Sequence, residues 1–165
     1  MKRLVLTAAC ALILTGTAGK ANTSLQPVLA ARAWLNGQAT PATLAGKVVV
    51  LDVFTVDCYN CQNVVPELRA LNAQQRGRGL AIVGIHAPET PEERDRTYVA
   101  RSLLRQGIVW PVAIDNAFSL WNDYGVEAWP TQLIFDRHGR LRKTVVGDSQ
   151  DAVVSAAVEE LLAEK

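Results

Sequence analysis

Leu51-Asp-Val-Phe-Thr-Val-Asp-Cys-Tyr-Asn-Cys-Gln-Asn-Val-Val-Pro66 joins an apolar run to two cysteines spaced C-x-x-C. Upstream, Val48 to Phe54 is a continuous, largely β-branched run, which suits a central strand buried on both faces. Downstream, Val64, Val65, Leu68 and Leu71 recur at helical spacing, and the pattern predicts a helix from about Tyr59 to Gln75. Pro66 removes one hydrogen bond within it and is expected to kink it. Gly77 and Gly79 are expected to end it. At such a strand-to-helix junction the first sulfur meets unpaired N–H groups and the positive end of the helix dipole. Cys58 is then thiolate-prone, and Cys61, about one turn on, lies within disulfide reach.

Working outward, the N-terminus is informative. Lys2 and Arg3 precede an apolar run from Leu4 to Leu14, followed by the small residues of Thr15–Ala21. This order is that of a cleavable secretory signal over residues 1–21, leaving a single domain over 22–165. The run is shorter than the ~20 residues of a spanning helix, so an uncleaved N-terminal anchor is the lesser alternative. Cys10 invites a lipoprotein reading, but Thr7 stands where a lipobox prefers leucine and the apolar run continues past the cysteine. Cleavage removes Lys2, Arg3 and Lys20 from 17 basic residues and leaves 14 against 16 acidic ones. So balanced a charge points to neither nucleic acid nor an anionic membrane surface. Cleavage also removes Cys10, leaving Cys58 and Cys61 alone, which excludes a multi-disulfide scaffold. The pair is then a structural clip, a metal fork or a redox centre.

Asn22 to Leu29 reads as a lead-in. Arg32–Asn36 reads as a short edge strand, and Thr40–Gly46 as a capped turn. Leu80–Ile85 reads as a second buried strand. Thr90-Pro91-Glu92-Glu93 is expected to open a helix that runs to Gln106 and stops at Gly107. Ile108–Ile114 is expected to be a strand, and Asp115 or Asn116 to cap a helix through Tyr124. Thr131–Phe135 and Arg140–Val146 flank Asp136-Arg-His-Gly139, a hairpin signal. Ser149 is expected to cap a last helix, Val153–Ala163. This β-α-β-α-β-α-β-β-α order gives an α/β sandwich with a hairpin edge on an otherwise parallel sheet.

With these motifs in this order, the chain resembles the thioredoxin-like thiol–disulfide oxidoreductases, in particular the exported TlpA/ResA-type proteins and the periplasmic domain of DipZ-type proteins. The landmarks are Trp34-Leu-Asn-Gly37, Gly46–Val50, Cys58–Cys61 with Pro66, Val83-Gly-Ile-His-Ala-Pro-Glu89, Trp110–Asn116, Tyr124-Gly-Val126, Trp129-Pro130 and Asp136–Arg140. The resemblance implies a thioredoxin-like fold: a mixed central sheet with helices on both faces and a TlpA/ResA-type central helical insertion. It implies a Cys58–Cys61 disulfide in which Cys58 attacks and Cys61 resolves the mixed disulfide. Asp52, six residues before Cys58, matches a buried acid that moves the proton of the second cysteine, and burial would raise its pKa. Pro130 matches the cis-proline that faces the dithiol, with Trp129 offering main-chain groups to an extended substrate. Tyr59 and Asn60, between the cysteines, complete the expected substrate-contacting set. No cofactor and no metal are expected. The implied partners are a protein thiol or disulfide substrate and a membrane thiol electron donor, acting on a soluble extracytoplasmic monomer.

Two departures from the family pattern bear on direction. Asp57 precedes Cys58 where many members carry Trp; its charge opposes the thiolate and favours a reductant, unless Asp57 merely caps the helix. Val64 stands where ResA-type proteins carry Glu, which leaves any role in cytochrome c maturation without that support. Two rivals share the fold. A copper-binding module would use the thiolates and His86, although copper-delivery relatives space their cysteines C-x-x-x-C. His86 could otherwise pack, or tune the thiols. A peroxidase would use Thr55-Val-Asp-Cys58, but the accompanying proline is replaced by Leu51. A four-ligand zinc site fails because the strand from Thr131 carries His138 roughly 15–20 Å from the dithiol at ~3.3 Å per residue.

Overall fold

The computed structural model describes residues 21–164; Cys10 and all but the last residue of the expected signal segment lie outside the described residues. The elements are α1 (Gln26–Leu29), β1 (Trp34–Leu35), α2 (Pro41–Leu44), β2 (Val48–Phe54), α3 (Tyr59–Gln75), β3 (Leu80–His86), α4 (Arg96–Gln106), β4 (Val112–Ile114), α5 (Ser119–Asp123), β5 (Thr131–Phe135), β6 (Leu141–Val146) and α6 (Asp151–Ala163). The strands form one sheet in the order β1-β4-β3-β2-β5-β6. β2, β3 and β4 are parallel, while β5 and β6 form the antiparallel hairpin edge. β1 adds a second antiparallel edge beside β4.

All seven residues of β2 are buried, as a strand with helices on both faces requires. Its alternation divides the core. Val48, Val50 and Phe54 pack with Val64, Leu68, Leu103 and Val158 from α3, α4 and α6. Val49, Leu51 and Val53 pack on the other side with Val28, Leu120 and Tyr124. Asp52, in step with Val50 and Phe54, therefore belongs to the face that α3 covers.

Several expected boundaries move, each for a local reason. The lead-in contains α1, seated where the Tyr124 hydroxyl accepts the Val28 N–H at 3.2 Å. α3, by contrast, keeps its expected bounds and spans Pro66 as one helix, and a 3-10 turn over Arg76–Arg78 then closes on Gly79 at φ +104°. The helix expected from Thr90 is broken: Glu92–Arg94 is a 3-10 turn, and Asp95 (φ −74°, ψ 115°) caps α4 by accepting the N–H groups of Thr97 and Tyr98. Pro111 has no N–H to donate, and β4 begins only at Val112. The Asp115 carboxylate reaches across a turn to Ser119 Oγ and Trp121 N, so α5 starts later and is short. Ser149 takes φ +59° and does not cap α6, which begins after Gln150 without a side-chain cap.

Gly84 lies opposite Asp52 on β2. A Cβ there would come within 2.9 Å of Phe54 Cε1 and of Val112 Cγ2, both rigid core groups. Gly84→Ala is therefore expected to destabilise the protein by about 1–3 kcal/mol in urea unfolding. A variant as stable as the wild type would show that this layer repacks freely.

Candidate active site

Cys58 is the N-cap of α3, in extended conformation, and its Sγ accepts the Cys61 N–H at 3.2 Å. A free N–H of the first turn is thus aimed at the first sulfur, the electrostatic condition that favours a thiolate there. The two cysteines face each other as a disulfide pair with Cα atoms 5.2 Å apart. They differ in access: Cys58 is half-buried, whereas Cys61 is 3% exposed and belongs to the core. Tyr59 is 76% exposed and Asn60 is exposed, so the inter-cysteine dipeptide lies open to solvent. Gln62 and Gln106 both donate to the Val56 carbonyl, at 3.0 and 2.9 Å, tethering the preceding turn to α3 and α4.

Asp52 is 2% exposed. Burial raises its pKa to about 6, and the hydrogen bond from Gln132 Nε2 at 2.9 Å opposes that rise in part. The donor is set by register, since Asp52 on β2 stands opposite Gln132 on β5. Gln132 is itself 1% exposed, so the two polar side chains satisfy each other in an apolar layer. A carboxyl that titrates just below neutrality, on the α3-covered face that also holds Cys61, can accept and return a proton near neutral pH.

The Trp129–Pro130 peptide is cis. Val53 pairs with Thr131, so Pro130 sits one step beyond that register pair, at the end of the sheet where β2 runs out toward Cys58. Its carbonyl accepts the Gly147 N–H at 2.8 Å. Trp129 is half-buried, and its Nε1 donates to the Ala87 carbonyl at 3.1 Å. Its ring packs against Trp121 with centroids 4.5 Å apart, and Phe118 stands edge-on to both. Trp129 is thus packed and hydrogen-bonded into an aromatic shelf beside Pro130.

Asp57 does not cap α3. Both of its carboxylate oxygens lie 2.9 Å from the Tyr98 hydroxyl of α4, which donates to them. His86 is fully buried, edge-to-face on Phe54 with centroids 5.7 Å apart, and its Nε2 is 3.4 Å from Thr55 Oγ1. Burial lowers its pKa to about 4, against the pull of Glu93 and Asp57, so the ring is neutral at pH 7. Thr55 gives its hydroxyl hydrogen to Glu93 Oε1 rather than to the cysteine. Among the described residues no group of three His, Cys, Asp or Glu side chains is arranged to hold a metal ion.

Three residues of this neighbourhood carry no motif: Gln132, Tyr98 and Glu93. Their partners lie 80, 41 and up to 38 positions away in the chain, so only the folded sheet reveals them. For Gln132 one signal exists, an amide directly before the apolar run Leu133–Phe135 in the strand that follows Pro130. For Glu93 the signal is the third position of a capping box opening at Thr90.

Residues 46–141 match the thioredoxin-like family. The chain is 32% identical over 133 residues to protein DipZ of Mycobacterium bovis, a match covering 78% of this chain and 19% of DipZ. It is 25% identical over 134 residues to the thiol-disulfide oxidoreductase YkuV of Bacillus subtilis, covering 81% of this chain and 90% of YkuV. The structure is similar to a thiol-disulfide isomerase from Corynebacterium glutamicum, with TM-score 0.75, 27% identity and coverage of 83% and 95% of the two chains. The chain thus spans about a fifth of the length of DipZ, and most of the length of YkuV and of the isomerase. No helix among the described residues is long and apolar enough to cross a membrane. The matched span includes β2, both cysteines of the α3 N-terminus and the cis-proline, and on that ground the chain belongs to the thioredoxin-like family.

Proposed function

We propose that this chain is an exported thiol–disulfide oxidoreductase that reduces protein disulfides. The observation that carries the reading is the asymmetry of the pair: an accessible Cys58 at a helix N-terminus beside a core-buried Cys61, with a carboxyl of raised pKa on the same face. In the reductive direction the Cys58 thiolate attacks one sulfur of a substrate disulfide. That S–S bond breaks, a mixed disulfide forms, and one substrate thiolate leaves. Asp52 takes the proton of Cys61, whose sulfur attacks Cys58 Sγ and expels the second substrate thiolate. The product is the Cys58–Cys61 disulfide, and two electrons have passed to the substrate. The cycle then needs a donor that returns them; a membrane thiol protein fits the export reading of residues 1–21. Substrate main chain pairs beside cis-Pro130, between the Trp129 shelf and the exposed Tyr59-Asn60 dipeptide. The reductive direction is supported by Asp57, an anion adjacent to Cys58 that is not drawn off to cap the helix.

Neither rival gains support from the geometry. Among the described residues His86 is not grouped with the two cysteines as a metal site, and peroxide chemistry would need the Thr55 hydroxyl that Glu93 holds. The deciding experiment is a redox titration of the residue 22–165 protein against glutathione, with insulin reduction as the turnover assay. A dithiol clearly more reducing than the glutathione couple, with insulin reduction, supports the proposal. A potential near the ≈ −120 mV of DsbA overturns the direction. Stoichiometric cuprous binding without exchange overturns the activity.

A further inference from the structure

Glu93 is 0% exposed, and all of its acceptor capacity is used. Oε1 accepts the Thr55 hydroxyl and, at 3.0 Å, the Asp57 N–H; Oε2 accepts the N–H groups of Glu89 at 2.8 Å and Thr90 at 2.9 Å. One carboxylate thus fastens the turn between β2 and Cys58, at Thr55 and Asp57, to the loop that follows β3. A carboxylate accepts at four sites where an amide oxygen accepts at two, so the four donors select an ionised acid. Burial pushes the Glu93 pKa up, but these hydrogen bonds outweigh it and hold the group below the ordinary glutamate range.

No arginine or lysine pairs with that charge among the described residues. Arg94, its neighbour, turns away and donates to the Asn116 carbonyl at 2.7 Å. His86 on β3 is neutral, and Asp57 adds a second anion, whose one side-chain donor among the described residues is Tyr98. Arg105 on α4, the cation that acts on Tyr98, donates to Ser102 Oγ at 2.8 Å.

We propose that Glu93 is a positioning residue for the dithiol. Its carboxylate fixes the Thr55–Asp57 turn that presents Cys58, and its uncompensated negative charge behind the motif biases the pair toward the disulfide. The inference rests on the redox reading of Cys58 and Cys61. Its physical basis is that a like charge in a dry site disfavours a second anion, so the Cys58 thiolate is less stable than its helix N-terminus alone would make it. A less stable thiolate means a less stable reduced form, hence a stronger reductant.

The test is the thiol pKa of Cys58, read from the pH dependence of its alkylation by iodoacetamide in reduced protein. Glu93→Gln is expected to lower that pKa by about one unit and to shift the glutathione equilibrium about tenfold toward the dithiol, about 30 mV less reducing. Thr55→Val removes one of the clamp's hydrogen bonds but keeps the charge, and is expected to leave the thiol pKa in place. A Glu93→Gln value equal to wild type, or an equal shift in Thr55→Val, overturns the role of the charge. Should Glu93→Gln not fold, wild-type protein decides. By linkage, the Glu93 carboxyl followed by ¹³C NMR must titrate higher in the reduced, thiolate form than in the disulfide form. Equal values in the two forms overturn the proposal. The thiol pKa is readable even if the wild type fails to reduce insulin, so loss of the reductase reading and loss of the Glu93 role give different results.

Discussion

Cys58→Ser is expected to abolish insulin reduction, slowing it by about three orders of magnitude or more, whereas Cys61→Ser is expected to accumulate a mixed disulfide through Cys58. The asymmetry follows from burial and position. Cys58 is half-buried at the mouth of α3 and receives the Cys61 N–H, so a substrate sulfur can approach along the helix axis. Cys61 is 3% exposed and packed in the core, with no path for an incoming disulfide. It can attack only what Cys58 already holds. Mass spectrometry after brief exposure to oxidised glutathione reads the result directly, as one glutathione adduct on Cys61→Ser and none on Cys58→Ser. The reverse pattern, with the adduct on Cys61, would mean that substrate enters from the core side of the helix and would sink the assigned roles.

Asp52→Asn separates catalysis from stability. Asparagine is isosteric and keeps an oxygen for the Gln132 Nε2 donor, so the packing of β2 against β5 should survive. The sign of the pH effect is fixed by the shift. The folded pKa is about 6 against 3.8 for an ordinary aspartate, so the native state holds the proton more tightly than the unfolded chain. Below about pH 4 both states are protonated and the group makes no difference. As pH rises from 4 through 6, the native state must come to carry a carboxylate in a dry layer, and stability falls by up to about 3 kcal/mol. The variant escapes that loss. Urea unfolding of the oxidised protein should therefore show Asp52→Asn more stable than wild type by about 2–3 kcal/mol at pH 8, with no gain at pH 4. Insulin reduction by the same variant should fall about a hundredfold at neutral pH, because Cys61 loses its proton acceptor. A variant destabilised equally at both pH values, with normal turnover, would show that Asp52 is only a packing group.

β2 and α3 could be placed from residue types alone, to the residue, because their determinants are local. An unbroken β-branched run can be satisfied only between two covered faces, and a cysteine in extended conformation can cap the helix that begins with the next residue. The C-x-x-C pair is readable for the same reason, whereas Asp52 and Trp129-Pro130 are picked out only by the resemblance to the thioredoxin-like family. Elements that depend on a competing side chain were not. The helix expected from Thr90 breaks because Asp95 makes a better cap and Glu93 is drawn inward, and the strand expected from Ile108 starts late because Pro111 cannot join its ladder.

Asp57 illustrates the boundary between the two. Its charge, and its place before Cys58, stand in the sequence; whether that charge would be used up as a helix cap did not. Tertiary structure decided it by bringing Tyr98 from α4 within 2.9 Å of both oxygens. It likewise set Gln132 opposite Asp52 and Glu93 beneath the turn that carries Cys58. By itself the sequence determined the buried strand, the helix after it and the pair of sulfurs between them, because periodicity and spacing are chemical facts of neighbouring residues, while the thioredoxin-like fold and the part of Asp52 follow from the family resemblance. The electrostatic setting of those sulfurs came only with the folded sheet, since a buried charge acts through whatever donors and cations distant segments bring to it, or fail to bring.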